Sequence, residues 1–415
     1  MTHSARKLLF FIDRIEHSSY PVTETGYALL YRAWMRALSD DSEIYVTYPD
    51  SDWHESPDGE LFVSAHRVLS FSAAPYVFYR SQRDSYRPGD DVGSERCHLE
   101  LAAAPLCVNA VDAAVWRQES GTPEHTRALL TALGRAERDT TVYLSPTLAL
   151  EPRFGSKILP RAFDESLTPR TWFTEDPEAS AHDKAERARS FVREQLGAAA
   201  TVIVKPLYGN NGEGIHVLGA DPRTGQAAQH PNEARVWQTL LTRYGDLVVQ
   251  EYVPSVRSAV GTSAEALSAV PRDRHDFGEV RFLLIDGELP RGADSQPCVF
   301  ARRVPADDSL VADSGISYAT TLSAAELAFM QRLGPAYRRW GIYFGGGDLI
   351  RTADPARPFV FTDAARSVCG HAVVTGALNG APYLIVDQIL DSLDWHVARR
   401  SLNAEAQHTA ALGLH

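Results

Sequence analysis

The segment Thr201 to Leu218, TVIVKPLYGNNGEGIHVL, constrains this chain more than any other. A β-branched run delivers a lysine and a proline, a turn rich in Gly and Asn follows, and a second apolar run closes it. That spacing predicts strand, turn, strand. Backbone N–H groups in such a turn can cradle phosphate oxygens, glycine permits close approach, and Lys205 adds a point charge. The segment is not a Walker A loop, because Gly-Lys-Ser/Thr is absent, nor a dinucleotide fingerprint, because a strand rather than a helix follows. Read alone, it also fits an ordinary Asn-Gly hairpin.

Around this segment the text alternates between strand and helix. Lys7 to Asp13 reads as a strand and Gly26 to Leu38 as a helix, and Ser42 to Tyr48 and Pro75 to Tyr79 read as buried strands. The alternation predicts an α/β layer with a largely parallel sheet. Pro88 to Glu95 reads as a loop, Glu124 to Arg138 as a surface helix, and Thr141 to Leu144 as a short strand. Prolines then punctuate Lys157 to Trp172, which marks a change of domain, and His182 to Leu196 is a charged helix stopped by Gly197. Asp246 to Tyr252, Glu279 to Asp286, Cys298 to Arg302 and Phe359 to Thr362 read as strands, and Ala324 to Gly341 and the stretch after Pro382 as helices. Val256 to Asp276 is polar, small-residue text of the kind found in lids and insertions. Three α/β pieces result: residues 1–146, a small unit of 147–250, and the larger unit of 251–415.

Composition narrows the classes of partner. The 415 residues carry 41 basic and 53 acidic side chains, a net charge of −12, so a broad surface for nucleic acid or anionic membrane is not expected. An anionic ligand must be held by a local group of cations. No window approaches a bilayer span, and the N-terminal apolar run is too short for a signal-peptide core, so a cytoplasmic protein is expected. The four cysteines, Cys97, Cys107, Cys298 and Cys369, are scattered, and the 14 histidines form no H-x-x-x-H pair, which argues against zinc chemistry.

Further constellations follow the glycine-rich turn. VVQEYVP, Val248 to Pro254, is a buried strand ending in a polar segment whose backbone suits the edge of an adenine. GEVRFLLIDGELP places Arg281 inside a strand, and CVFARRVP places Arg302 and Arg303 at a strand end. Asp348 and Asp363 fall on adjacent apolar segments. Arginines and carboxylates buried on strands are costly unless paired or bound to ligands. Blander readings exist for several: Lys157 as a solvated lysine, Asp348 as a turn cap, Asp363 as a partner of Arg366, Arg80 as a surface charge at a strand end.

Taken in order, these residues resemble the ATP-grasp carboxylate-amine ligases of the bacterial glutathione synthetase type. Asp13-Arg14-Ile15 with Thr25 to Leu30 is similar to the family's opening strand, loop and helix, and Val77 to Arg80 to its strand ending in a substrate-side arginine. Lys157, with Leu167-Thr168-Pro169, resembles the first nucleotide lysine, and Lys205-Pro206 with Gly209 to Gly214 the phosphate-loop segment.

The resemblance implies an ATP-grasp fold behind an N-terminal α/β domain. It implies ATP held by Lys157, Lys205, Gly209, Asn210, Asn211, Gly212, Gly214, Gln250, Glu251, Tyr252 and Val253, with magnesium, or manganese in its place, at Asp348 and Asp363. Arg281 and Arg302 would hold an acyl phosphate, and Arg80 and Ser367 the substrate. The implied activity is ADP-forming ligation of a carboxylate to an amine, on an amino acid or small peptide. Partners would be small-molecule substrates, with no nucleic acid, no membrane, and a homo-oligomer left open.

Three features depart from that family: Ala365 stands where it has a metal-reaching asparagine, the loop after Arg302 reads DDSLVADSGIS, and extra sequence lies within 90–140 and 256–276. Glutathione synthetase itself, and a non-catalytic ATP-binding regulatory protein of this fold, stand as alternatives.

Overall fold

A computed structural model describes residues 6–12, 20–40, 42–71, 92–104, 106–109, 128, 131–135, 142–143, 157–163, 165–174, 176, 178–197, 200–207, 214–219, 230–231, 233–254, 279–303, 316–352, 354–365, 371–381 and 383–411. These residues form three sheets. The first contains β1 (Arg6–Phe11), β2 (Ser42–Thr47), β3 (Trp53–Glu55), β4 (Leu61–Phe71), β5 (Val92–Glu100), β6 (Leu106–Asn109) and β7 (Val142–Tyr143), with α1 (Tyr20–Ala37) between β1 and β2. Its order is β3-β4-β2-β1-β6-β7, and β5 pairs with β4. Strand β1 is buried on both faces: Leu8 and Phe10 pack toward α1, while Leu9 and Phe11 join Leu61, Val63, Leu99 and Leu133 on the other side. Such two-sided burial is why the β1 text is a continuous apolar run.

The second sheet follows α2 (Leu159–Phe163). It comprises β8 (Thr171–Phe173), β9 (Val202–Pro206), β10 (His216–Leu218) and β11 (Leu247–Glu251), ordered β10-β9-β11-β8 and antiparallel throughout. Helices α3 (Ala181–Phe191) and α4 (Ala234–Tyr244) cover one face, where Val202, Val204, Leu247 and Val249 meet Ala188, Leu240 and the fully buried Trp237. Ser180 caps α3 by accepting from the Asp183 N–H at 3.1 Å, and past Leu196 the chain leaves the helix through Gly197 at φ 97°.

The third sheet is antiparallel, with order β14-β13-β12-β15-β16: β12 (Glu279–Ile285), β13 (Val299–Arg303), β14 (Ile316–Thr320), β15 (Phe344–Arg351) and β16 (Phe359–Ala365). Helix α5 (Ala324–Arg339) starts in a capping box of Ser323 and Glu326, and packs Phe329, Leu333 and Tyr337 on Val280, Phe282, Leu349 and Phe361. Phe163 of α2 reaches this core, its ring 5.0 Å from that of Tyr337.

Helices α6 (His371–Leu378) and α7 (Leu384–Ala411) return to α1. Ile385, Val386, Ile389 and Leu393 of α7 share one core with Leu8 and Phe10 of β1 and with Leu283, Ile285 and Phe344 of the third sheet. On the polar side of α7, Asp387 accepts from Arg32 at 2.7 Å and Asp394 from Arg6 at 2.8 Å. No helix among the described residues is long and apolar enough to cross a membrane.

The first sheet corrects one expectation. It is mixed rather than largely parallel: β1 runs parallel to β2 and β6, and β6 to β7, but β4 is antiparallel to β2, β3 and β5. Val92 to Glu95, read as part of a loop, belongs to β5, which pairs along β4. Part of the stretch 90–140 is therefore sheet, β6 being the inner neighbour of β1. Strand β5 is exposed along most of its length, so it lacks the apolar alternation that would announce it. The expected strand at Pro75 to Tyr79 and the segments 256–276 and DDSLVADSGIS lie outside the described residues.

Candidate active site

Alternation along β9 sends Val202 and Val204 into the helices and leaves Ile203 and Lys205 on the opposite face; in β11, Leu247 and Val249 go inward and Val248 and Gln250 outward. The antiparallel register sets Lys205 beside Val248 and Ile203 beside Gln250. Onto this face comes Lys157, which is buried rather than solvated and donates from Nζ to the Pro206 carbonyl at 2.9 Å. Gln250 Nε2 donates to Thr171 Oγ1 at 3.3 Å and to the Lys157 carbonyl at 3.5 Å. Lys157, Lys205 and Gln250 thus share one face of the second sheet.

Gly214 closes the glycine-rich turn at φ 71°, where a Cβ would lie 2.7 Å from the Pro206 ring and 2.8 Å from the Tyr244 ring. Only glycine suits both the backbone and the space. Gly209, Asn210, Asn211 and Gly212 lie outside the described residues, as do Arg80 and Ser367.

Beyond Gln250 the side chain of Glu251 accepts from Arg170 Nη2 at 3.2 Å and from Arg357 Nη1 at 3.4 Å. Arg357 lies between β15 and β16 and also donates to the Thr168 carbonyl, so Glu251 fastens the second sheet to the third. Burial works to raise the Glu251 pKa, but the hydrogen bonds and charge of Arg170, with the charge of Arg357, outweigh it and hold the carboxyl below its usual range. Tyr252 donates its N–H to the Thr201 carbonyl, and Tyr252 and Val253 continue, partly exposed, from β11.

The third sheet carries the ionic part. Arg281 on β12, Asp348 on β15 and Asp363 on β16 are in register across three neighbouring strands. A β-bulge between Asp348 and Leu349 sets this up: it pairs Leu349 with Phe361, which joins the core, while Asp363 stays level with Asp348. One unpaired residue, Thr362, re-aims the strand, and its Oγ1 donates to the Asp348 carbonyl at 3.3 Å. Gly347 permits the close packing, since a Cβ there would lie 2.5 Å from the Asp363 carbonyl oxygen and from the Phe361 ring.

Arg281 Nη2 donates to Glu279 Oε1 and Oε2 at 3.2 and 3.1 Å and lies 3.2 Å from Asp348 Oδ2. Burial works against its charge, but Asp348, Glu279 and Asp363 keep the guanidinium firmly protonated. Burial is also the chief reason the Asp348 pKa is raised; Arg281 opposes the rise while Glu279 and Asp363 add to it. Asp348 lies mid-strand and is not a turn cap, and Asp363 Oδ1 accepts the Ala364 N–H at 2.9 Å. Arg302 stands in β13 in register with Glu279; its side chain lies outside the description.

Among the described residues, no group of three or more His, Cys, Asp or Glu side chains is arranged to hold a metal ion. Two hard carboxylates, Asp348 and Asp363, nonetheless fit the share a protein supplies when a small divalent cation takes its other ligands from phosphate and water. Sequence reading missed Glu279 and the pairing of Glu251. For Glu279 the signal was present, because a residue two before Arg281 on a strand shares its face.

Three sheets in this arrangement, with buried charge on the third and Lys205 on the second, form an ATP-grasp fold. The chain superposes on the VanG D-Ala:D-Ser ligase of Enterococcus faecalis with a TM-score of 0.53 at 11% identity, over 94% of this chain and 99% of that one. The D-alanyl-alanine synthetase A of Vibrio cholerae gives 0.51 at 11% identity, over 94% and 99%. The D-cycloserine synthetase DcsG gives 0.50 at 13% identity, over 93% and 99%. At these identities the likeness speaks for the fold.

In sequence the chain is similar to glutathione synthetase. It is 31% identical to that of Agrobacterium fabrum over 192 residues, 44% of each protein, and 29% identical to that of Thermosynechococcus vestitus over 190 residues, 45% of each. The matches thus span less than half the length of these relatives. No family model matches the chain.

Proposed function

We propose that this protein is an ATP-dependent ligase that joins a carboxylate to an amine, on an amino acid or small peptide, and releases ADP and phosphate. The observation that carries the reading is the row Arg281, Asp348 and Asp363 in register across β12, β15 and β16, with Asp348 buried and the other two partly buried. A guanidinium held among several carboxylates on a sheet costs stability, which is expected where charge must be managed during a reaction.

In this reading residues 1–146 supply the substrate side, 147–250 a lid over the nucleotide, and 251–415 the metal and substrate sites. Lys157, Lys205 and the glycine-rich turn face the phosphates, and the backbone from Gln250 to Val253 meets the adenine. ATP supplies the phosphoryl group that activates the carboxylate. Asp348 and Asp363 would hold magnesium or manganese, which would offset the negative charge of the phosphates. Arg281 and Arg302 neutralise charge on the acyl phosphate, and Arg80 and Ser367 orient the substrate. Such chemistry needs positioning and charge neutralisation and no dedicated nucleophile, in keeping with the residues gathered here.

The test is a matrix of amino acids and short peptides assayed for ADP release, with product masses read for the active pairs. ADP release that requires both a carboxylate and an amine is the expected result. With the carboxylate labelled by heavy oxygen, one labelled atom should pass into the released phosphate. AMP and pyrophosphate as products would overturn the acyl-phosphate route, and tight ATP binding with no turnover across the panel would overturn the ligase reading.

A further inference from the structure

Glu279 is a residue of the third sheet that neither the metal nor the phosphate reading uses, yet it bonds Arg281 and is level with Arg302 on the neighbouring strand. Residues two apart on a strand share a face, so Glu279 and Arg281 stand on the same side of β12. Both Glu279 oxygens accept from the same Arg281 nitrogen, Nη2, at 3.2 and 3.1 Å, and that nitrogen lies 3.2 Å from Asp348 Oδ2. In register, Glu279 is level with Arg302 on β13, as Arg281 is level with Asp348 on β15. One carboxylate therefore bonds the first arginine of the proposed chemistry and stands opposite the second.

Its oxygens are engaged by a guanidinium. What the geometry gives Glu279 is orientation. A guanidinium is a planar fork, and holding one of its nitrogens between two carboxylates fixes the direction in which the rest of the fork donates. A donor aimed in advance loses less freedom when charge develops in front of it.

We propose that Glu279 is a positioning residue that sets Arg281 for the phosphoryl group, without touching substrate itself. This role rests on the ligase reading above. The experiment uses the full chain, magnesium, ADP and orthovanadate, a mimic of a phosphoryl group in transfer. ADP is titrated by calorimetry, and then vanadate into the ADP-loaded protein.

Wild type should bind both. Glu279→Gln, which keeps the shape and loses the charge, should bind ADP as wild type does and vanadate about tenfold more weakly, a shift of about 1.4 kcal/mol. Glu279→Asp should recover most of the vanadate affinity, and it carries the test if the Gln variant does not fold. Vanadate affinity in Glu279→Gln equal to that of wild type overturns the positioning role alone, as does an equal loss of ADP and vanadate affinity, which marks a merely structural residue. A wild-type chain that binds ADP without vanadate overturns this role alone, and one that fails to bind ADP overturns the ligase reading and this role with it.

Discussion

In the second sheet the buried cation Lys157 donates to a main-chain carbonyl, that of Pro206, and Gln250 beside it donates to Thr171 and to the Lys157 carbonyl. In the third sheet the partly buried Arg281 is bonded to Glu279 and paired with Asp348, with Asp363 level on the next strand. The first arrangement joins backbone segments; the second balances side-chain charges against one another. The difference teaches where function and stability are tied together. A lysine anchored on a carbonyl can be replaced with little left behind, whereas removal of the Arg281 guanidinium leaves Glu279 and Asp348 facing each other with little solvent.

The largest expected effect follows from that asymmetry. Arg281→Met should lower unfolding stability by about 3–5 kcal/mol, the usual cost of breaking a buried pair from one side. Urea unfolding at pH 7 measures it. A midpoint within error of wild type would break the comparison, because Glu279 and Asp348 would then have been well solvated without their arginine.

Lys157→Met sharpens the other half. The unfolding midpoint should move less than for Arg281→Met, while ATP affinity falls by about 1.5–3 kcal/mol for one lost charge-assisted hydrogen bond. Calorimetric titration with ATP and magnesium reads the loss directly. ATP affinity equal to that of wild type would remove Lys157 from the nucleotide site and leave it a packing residue.

A third test touches neither charge. Gly347→Ala places a methyl group 2.5 Å from the Asp363 carbonyl and the Phe361 ring, with Phe282 2.9 Å away. Overpacking of this kind costs about 1–3 kcal/mol, and here it should also spread β15 from β16, moving Asp363 away from Asp348. The variant should therefore lose divalent-cation dependence of ATP binding along with some stability. A stable variant with unchanged magnesium dependence would show that the spacing of those strands does not set the metal site.

Much of this was legible in the text. β12, β13 and β16 read as strands because their apolar residues are dense enough to be buried on both faces, and Arg281 and Asp363 stood out as charges interrupting them. The β4 and β5 pair was less legible: SERCHLE in β5 has few apolar residues to alternate, since the strand is mostly exposed and its pairing is made by backbone groups that carry no sequence signature. The bulge at Thr362 was also hidden, because nothing in FVFTDAA says which residue is left unpaired; only the register with β15 decides it. Glu251 could be placed on β11 but not paired, because its partners Arg170 and Arg357 are 81 and 106 residues away along the chain.

That pairing provides the smallest and most specific prediction. The Glu251 carboxyl lies below its ordinary value of 4.5 because Arg170 and Arg357 favour the charged form more than burial opposes it. A depressed folded-state pKa means the unfolded chain takes up the proton first as pH falls, so the contribution to stability is complete above that ordinary value. It is lost as pH drops through the lower, folded one. Comparison of wild type with Glu251→Gln by urea unfolding at a series of pH values isolates it. The wild-type advantage should be largest near pH 7 and shrink steadily below pH 4.5. It should shrink with added salt as well, since Arg170 is largely exposed and its charge is screened. An advantage that stays constant across the acid range would mean Glu251 acts through shape. The fastening between the second and third sheets would then rest on the bond from Arg357 to the Thr168 carbonyl, a main-chain anchor of the same kind as the one that holds Lys157.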